Sequence, residues 1–578
     1  MLTQLIHNGV IVPEPPPYRG LRLKIRGGEV TLNPKQEEMA LAWAKKGGTP
    51  YVEDPVFMAN FLADFGAVLE IEPSLSLAEV DFGPAWKVVS AERRAKAAMT
   101  AEERKALAAQ RKARREELRE RYGYAVVNGE RVEVANYVVE PSGIFMGRGK
   151  HPLRGRWKEG AKQSDITLNL SPDAPIPPGH WAEVVWQPES LWLARWEDRL
   201  SGKLKYVWLS DTAMVKQERE ARKFDGAARL AAELERVRTH IEAAMSAPEP
   251  KRRQIATACY LIDKLCLRVG DEKDPDEADT IGATTLRPEH VRLHPDGRAE
   301  FRFLGKDSVL WHKTLQLGEL AHRNLEELMR NARPSNSSKN GKRHPTHDKP
   351  QLFPDVTSRD INSFLSEAVP DLSAKVFRTH HATEVVSSSL ETAKVGTDDP
   401  EYLKWKAASL ANLEAAVLCN HTKKGSASWP RRKARMRERV DQREKLLEKH
   451  RQEVKASREA LTALREEARE KLAATDSPKV KERAKASYDK KIARAEARLQ
   501  AARQREERAA DALGKLKAQM LVASKNRSWN LGTSLKSYID PRIYHRWGKR
   551  VGYDVLESYY PSTLRRKFAW VKREEEQG

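Results

Sequence analysis

Apolar residues recur at a seven-residue spacing through the most regular stretch of this chain. Val440, Leu447, Val454, Leu461 and Ala468 form one series. Past a break at Thr475-Asp476-Ser477-Pro478, two series interleave: Tyr488, Ala495, Ala502, Ala509 and Leu516, and Ile492, Leu499, Leu513 and Met520, with Glu506 filling the missing step. Interleaved repeats of this kind are the a and d positions of packed helices. The remainder of residues 430 to 524 is almost entirely Arg, Lys, Glu and Ala. Two heptad helices joined by a proline-containing turn predict an antiparallel coiled-coil hairpin. A single long charged helix is the competing reading, and the break counts against it.

Elsewhere the period changes. Leu21-Arg22-Leu23-Lys24-Ile25 alternates as a half-buried strand does, with Gly27-Gly28 as a turn. Residues 91 to 121 read as one helix, polar nearly all round. From Tyr122 to Asp211 the chain turns strand-rich, and Trp181, Trp186, Trp192 and Trp196 are expected in its core. Residues 212 to 429 read as mainly helical with one β-like stretch. Ile255, Ala258, Ile262 and Leu265 form an apolar stripe, with Gly270 as the expected C-cap. Glu300 to Leu304 alternates as a strand, and Gly305 opens a turn presenting Lys306 and Asp307. Residues 334–350 read as a loop. The fold class is therefore multidomain α+β: a mixed α/β amino-terminal lobe, a mainly helical lobe, the coiled-coil hairpin and a small helical tail.

Charge narrows the partner. The 578 residues suffice for two to four domains and carry a formal net charge of +22. That excess favours a polyanion, of which nucleic acid is the commonest, although a merely soluble basic protein is the bland alternative. Cys259, Cys266 and Cys419 are the only cysteines, with no paired spacing, so a disulfide scaffold and a thiolate zinc site are both unsupported. A reducing compartment fits. The start, Met1 to His7, shows no basic segment before a long apolar run, so no signal peptide is expected, and no apolar stretch is long enough to span a bilayer.

Within this basic chain five residues suit attack on a phosphodiester. The transition state gathers negative charge on its non-bridging oxygens, which fixed cationic donors stabilise. Arginine binds phosphate bidentately and stays protonated. A tyrosine phenol ordinarily ionises near pH ~10, so neighbouring cations help make it a nucleophile. A proton donor must also meet the departing sugar oxygen, and lysine can serve. Tyr538, Arg268, Lys306, Arg378 and His421 supply these types. Singly, each has an ordinary reading: Arg268 as a helix cap or partner of Asp271, Lys306 as a turn lysine, Arg378 as a salt-bridged arginine, His421 as a core histidine, Tyr538 as a core tyrosine. Gly305-Lys306-Asp307-Ser308 lacks the spacing of a phosphate-binding loop, and His380-His381 has no ligand partner at suitable spacing, so neither a metal nor another cofactor is expected.

Taken in order, several segments resemble the eukaryotic-type family of type IB DNA topoisomerases across nearly the whole chain. They are Gly143 to Pro152 (GIFMGRGKHP), Tyr260 to Gly270 (YLIDKLCLRVG), Phe303 to Ser308 (FLGKDS), Ala374 to Thr379 (AKVFRT), Leu418 to His421 (LCNH), and Leu531 to Arg542 (LGTSLKSYIDPR). The resemblance implies that Tyr538 is the nucleophile forming a 3′-phosphotyrosine, that Arg268, Arg378 and His421 hold the scissile phosphate, and that Lys306 protonates the 5′-oxygen. It implies double-stranded DNA as partner, with Arg148, Lys150, His151, Lys216, Asp307 and Asn420 as contacts, and relaxation of supercoils without ATP or metal. The stretch around Arg148 would be one lip of a DNA clamp and Asp274 to Glu277 the other. Residues 1–208 would form the cap lobe, 209–429 the catalytic lobe, 430–528 the linker and 529–578 the carboxy-terminal domain, in a monomer. A basic linker would slow rotation by attracting phosphates. Met146 stands where many relatives place Arg, removing one lip charge. Ser537 stands where the family often has Asn, which weakens the expectation of sensitivity to camptothecin-type poisons. The long charged amino-terminal tail of nuclear relatives does not appear, so an archaeal or other prokaryotic source is expected over a nucleus. A tyrosine recombinase shares the nucleophile chemistry, but Lys375-x-x-Arg378 replaces its usual His-x-x-Arg and it lacks the long hairpin. A basic architectural DNA-binding protein is the non-enzymatic rival.

Overall fold

The computed structural model describes residues 2–72, 75–271, 278–334, 349–474 and 476–577. The chain divides into two compact units, one of residues 1–376 with 566–578 and one of residues 377–565. The suggested opposing lip at Asp274 to Glu277 lies outside the described residues.

The first unit begins with two helices built on capped starts. α1 (Pro34–Ala44) opens with a reciprocal Asn33/Gln36 capping box, and α2 (Pro55–Val68) opens under the Asp54 carboxylate. Their apolar faces meet in a core of Met39, Trp43, Phe57, Phe61 and Phe65, where the Trp43 and Phe61 rings stack at 4.6 Å. The expected strand, Arg22–Ile25, pairs with Gly28–Thr31 in a hairpin whose turn is Arg26 and Gly27, both at positive φ, one residue earlier than the Gly27-Gly28 turn expected. The single polar helix expected over 91–121 is instead two, α3 (Gly83–Ala98) and α4 (Ala101–Tyr122). Thr100 and Glu103 form a capping box that starts a new helix inside the charged run.

A second core fills the strand-rich stretch. A sheet of Leu5–His7, Tyr124–Val127 and Glu130–Glu133 neighbours a four-stranded sheet in which Thr167–Asn169 lies between Glu183–Val185 and Trp192–Asp198, with Lys203–Trp208 at the edge. Trp192 and Trp196 are buried, and Trp181 and Trp186 pack partly buried against this core.

After α5 (Met214–Met245) and α6 (Pro250–Leu265), the cap differs from expectation. The left-handed residue that ends α6 is Cys266, at φ 55°, rather than Gly270. Gly270, at φ 80°, serves a close approach: a Cβ there would stand 2.7 Å from the Gly282 backbone. The expected β-like stretch is a three-stranded meander of Val291–Leu293, Arg298–Gly305 and Val309–Gln316. Helices α7 (Glu319–Arg330) and α8 (Ser358–Ala368) follow. Of the stretch read as a loop, 334–350, only the ends are described, and Arg333 bridges to Gln351 across its base. The terminal helix Trp570–Gln577 returns to α5, where Phe224 meets Phe568 and Trp570.

The second unit is helical. It takes in most of α9 (Ala374–Thr392), then α10 (Glu401–Leu418), α11 (Trp429–Ala473), α12 (Pro478–Lys525), α13 (Leu531–Ser537) and α14 (Pro541–Val551). The first seven-residue series is buried where α11 and α12 run antiparallel, and in α12 Ile492, Ala495 and Met520 are partly buried against the same seam. Val440 and Leu447 pack with Ala509, Leu513 and Leu516, and Val454 and Leu461 with Leu499 and Ala502. Arg465–Glu496 at 2.5 Å and Lys517–Glu444 at 2.6 Å pair across the same seam. No helix among the described residues is long and apolar enough to cross a membrane.

Candidate active site and DNA-contacting cleft

In the second unit a single cluster forms where α9, the end of α10 and α13 meet. α10 stops at Leu418, and Asn420 turns the chain through φ 54°, a left-handed conformation that asparagine tolerates. The His421 amide closes the turn by donating to Ala416 O at 2.8 Å. This segment is then stitched to the entry of α13: Asn530 N donates to His421 O at 2.7 Å and Lys423 N to Ser528 O at 2.9 Å. Tyr538 follows the last residue of α13 and donates its amide to Ser534 O at 2.9 Å.

Three of the predicted site side chains come together here. The Arg378 guanidinium carbon lies 5.0 Å from the centre of the Tyr538 ring, a cation–π approach. The His421 ring lies 5.2 Å from the same ring, tilted by 32°. Arg378 is only 4 % exposed; its Nη2 donates to Cys419 O at 2.8 Å, while its Nε is buried with no hydrogen-bond partner among the described residues. A buried guanidinium with a donor to spare is costly unless an anion completes it, so this corner is built for a negatively charged group beside a phenol.

Two residues that the sequence reading did not single out hold this arrangement. Ser534 is fully buried, and its hydroxyl lies 2.7 Å from His421 Nδ1. Thr383, on the same helix as Arg378, donates its hydroxyl to Tyr538 O at 3.3 Å and accepts from Asp540 N at 3.1 Å. Asp540 caps α14 and grips the Arg542 guanidinium at 2.9–3.1 Å. The Gly-Thr-Ser and Asp-Pro flanks of Tyr538 are the sequence signal for Ser534 and Asp540. Nothing marks Thr383 beyond its place five residues after Arg378 on a helix.

Asn420 lies in the second unit, in the turn before His421, and the other predicted residues belong to the first unit. Arg268 follows α6, partly buried, with its carbonyl accepting from Ala283 N at 2.8 Å. Lys306 stands exposed at the tip of the meander hairpin, where Asp307 and Ser308 take positive φ of 64° and 57°. Arg148 forms an ion pair with Asp307. Gly149, at φ 58°, lets this contact form, because a Cβ there would collide with the Ser308 hydroxyl. Arg148, Asp307 and Ser308 line a cleft of about 500 Å³ with Phe145, Met146, His151 and Thr280; Arg268 and Lys306 are not among its lining residues. Met146 packs partly buried against the first core, so position 146 anchors the segment where a cation would project. The His151 ring meets Phe145 edge-on at 4.8 Å, and Lys150 is exposed. Lys216 is engaged in its own loop, donating to Leu209 O at 2.6 Å and pairing with Asp211 at 3.6 Å. The buried Cys259 thiol is pushed well up by desolvation, which makes it a poor nucleophile.

Comparison with known proteins adds to this geometry. Residues 2–209 match the family described as the DNA binding fragment of eukaryotic DNA topoisomerase I, residues 212–455 its catalytic core, and residues 510–577 a C-terminal topoisomerase domain. The chain is 32% identical over 575 residues to DNA topoisomerase 1 beta of Arabidopsis thaliana, with 98% of this chain and 58% of that protein covered. It is 31% identical over 584 residues to human DNA topoisomerase 1, covering 98% and 70%. Against the mitochondrial DNA topoisomerase I of Pan troglodytes the identity is 31%, over 98% and 89%. The chain thus spans 58% of the length of the Arabidopsis relatives. These relatives are eukaryotic and lend no support to a prokaryotic source.

Proposed function

The chain belongs to the eukaryotic DNA topoisomerase I family, and from that premise we propose that it relaxes supercoiled DNA of either sign by cutting and resealing one strand. The observation that carries the reading is the cluster of Arg378 and His421 within about 5 Å of the Tyr538 ring, with an arginine donor left over for an anion.

The Tyr538 phenol gives up its proton to solvent as its oxygen attacks the scissile phosphorus. The P–O5′ bond breaks as a P–O(Tyr538) bond forms, leaving a 3′-phosphotyrosine and a 5′-hydroxyl. Arg378 and His421 donate to the non-bridging oxygens as charge builds there. The family resemblance assigns Arg268 to the same phosphate, and assigns Lys306 the proton that goes to O5′. Because the ester bond energy is kept in the phosphotyrosine, resealing is the same reaction reversed. The cut strand rotates about the intact one in between, so the reading calls for neither ATP nor a metal.

In this reading residues 1–208 and 209–429 are the two lobes of a clamp acting as a monomer on double-stranded DNA inside the cell. Arg148, Lys150, His151, Asp307 and Asn420 contact the duplex beside the cut, with Lys216 a weaker candidate because its ammonium is engaged. Residues 430–528 are a coiled-coil linker whose cations slow rotation, a drag that weakens as salt screens it. Residues 529–578 carry the nucleophile. Ser537 argues against a strong response to camptothecin-type poisons. The test is incubation with supercoiled plasmid in EDTA without ATP: relaxed topoisomers are expected, and plasmid left fully supercoiled by active, DNA-binding protein overturns the reading.

A further inference from the structure

We infer that Ser534 is a positioning residue for this reaction, holding His421 in the tautomer that keeps a proton on Nε2 and tying it to the nucleophile's helix. The inference rests on the function proposed above. Ser534 is fully buried and His421 is 9 % exposed, and Oγ and Nδ1 are 2.7 Å apart. The same serine accepts at its carbonyl from the amides of Tyr538 at 2.9 Å and Ile539 at 3.2 Å. One residue therefore fixes the imidazole with its side chain and the start of the Tyr538 turn with its backbone.

The chemistry follows from what a hydroxyl can do. Towards a neutral imidazole it donates to Nδ1, which forces the ring proton onto Nε2. Towards an imidazolium it rotates and accepts from Nδ1–H. In both states Nε2–H remains a donor, so His421 can serve a phosphate oxygen on either side of its titration. Without the hydroxyl a neutral ring is free to carry its proton on Nδ1, and Nε2 then presents a lone pair to an anionic oxygen. The Tyr538 phenol, after α13, is the ionisable group whose ring lies against the His421 ring, and Arg378, on α9, lies against the far partner of that pair, the Tyr538 ring. Both are present in wild type and variant alike, so a ratio of rates removes their own titrations.

The experiment is single-turnover cleavage of a suicide DNA substrate by full-length wild type, Ser534→Ala and Ser534→Thr between pH 5.5 and 9. The ratio of Ser534→Ala to wild-type rate should be nearest one at the acid end, where protonation of the ring makes both nitrogens donors. It should fall by about tenfold or more towards the alkaline end, where a neutral ring depends on the hydroxyl, a modest share of what one lost donor can cost. The variant should remain folded with wild-type DNA affinity, and Ser534→Thr, which keeps a hydroxyl, should give a flat ratio. A ratio for Ser534→Ala that does not change with pH, whatever its size, overturns the inference. Should Ser534→Ala not fold, Ser534→Cys, with its weaker donor, replaces it under the same criterion. Wild-type protein that does not cleave sinks the proposed function itself, whereas active wild type with a flat ratio sinks only the role of Ser534.

Discussion

Acidification should destabilise the first unit through His7, and the size can be worked from its surroundings. His7 lies in the strand Leu5–His7 and is 4 % exposed. Its Nε2 lies 3.1 Å from Asn169 O and its Nδ1 accepts from Gly9 N at 3.0 Å. The ring must therefore be neutral, with Nε2–H donating to the carbonyl, because a proton on Nδ1 would face the Gly9 N–H. Burial pushes its pKa down to about 4 from an ordinary 6.5. The folded state thus binds fewer protons than the unfolded chain between those values. The stabilising effect of this environment is fully present above pH ~6.5 and is lost as pH falls towards about 4. At ~1.36 kcal/mol per unit, the loss is about 2 kcal/mol at pH 5 and about 3 kcal/mol below pH 4. The assay is urea unfolding at pH 7.5 and pH 5, followed by tryptophan fluorescence, for wild type and His7→Asn. Wild type should lose about 2 kcal/mol more than the variant between the two pH values. His290, also lowered to about 4 by burial and then by Arg287, contributes the same trend to both proteins and cancels. Equal losses in the two proteins would refute the reasoning.

Two further predictions concern the second unit. Arg378→Gln removes the buried cation beside Tyr538 and should slow single-turnover cleavage by about 10²–10³-fold, the cost of one lost transition-state donor, with DNA binding close to wild type; a rate within threefold of wild type, roughly the scatter expected of a neutral change, would count against its role. Leu461→Ala opens the seam between α11 and α12, where Leu461 packs with Leu499; it should destabilise the pair locally by about 2–4 kcal/mol, read as faster amide exchange in both helices with cleavage of a short duplex retained, and unchanged exchange would contradict the packing.

Much of this architecture was legible because it obeys a strict period. A seven-residue repeat can be satisfied by little else than packed helices, and every residue of the first series is buried in α11. The hairpin tip at Gly305 was equally open to reading, since a glycine ends an alternating run. Other features turn on contacts that periodicity does not carry. The break between α3 and α4 depends on two polar side chains, Thr100 and Glu103, in a run already polar throughout. The α6 cap falls on Cys266 because the helix ends at Leu265, and Gly270, further on, serves a point where two backbones nearly touch. For the site, residue type marked Arg378, His421 and Tyr538, but only their juxtaposition distinguishes them from ordinary core or surface groups. Ser534 is marked only by its place in the Gly-Thr-Ser flank of Tyr538, and Thr383 by nothing but its helix. What each does is defined by the atom it holds, His421 Nδ1 and the Tyr538 carbonyl.

The most direct measurement is to trap the protein on supercoiled plasmid with denaturant, in EDTA and without ATP, and to map the DNA-linked peptide for wild type and Tyr538→Phe. The account predicts a wild-type peptide spanning Leu531 to Arg542 joined through Tyr538 to a 3′-phosphate, with a 5′-hydroxyl on the other side of the nick. The variant should bind the plasmid as tightly yet yield no adduct and no relaxation. An adduct on a different residue, an attachment at the 5′ end, or undiminished relaxation by Tyr538→Phe would contradict it.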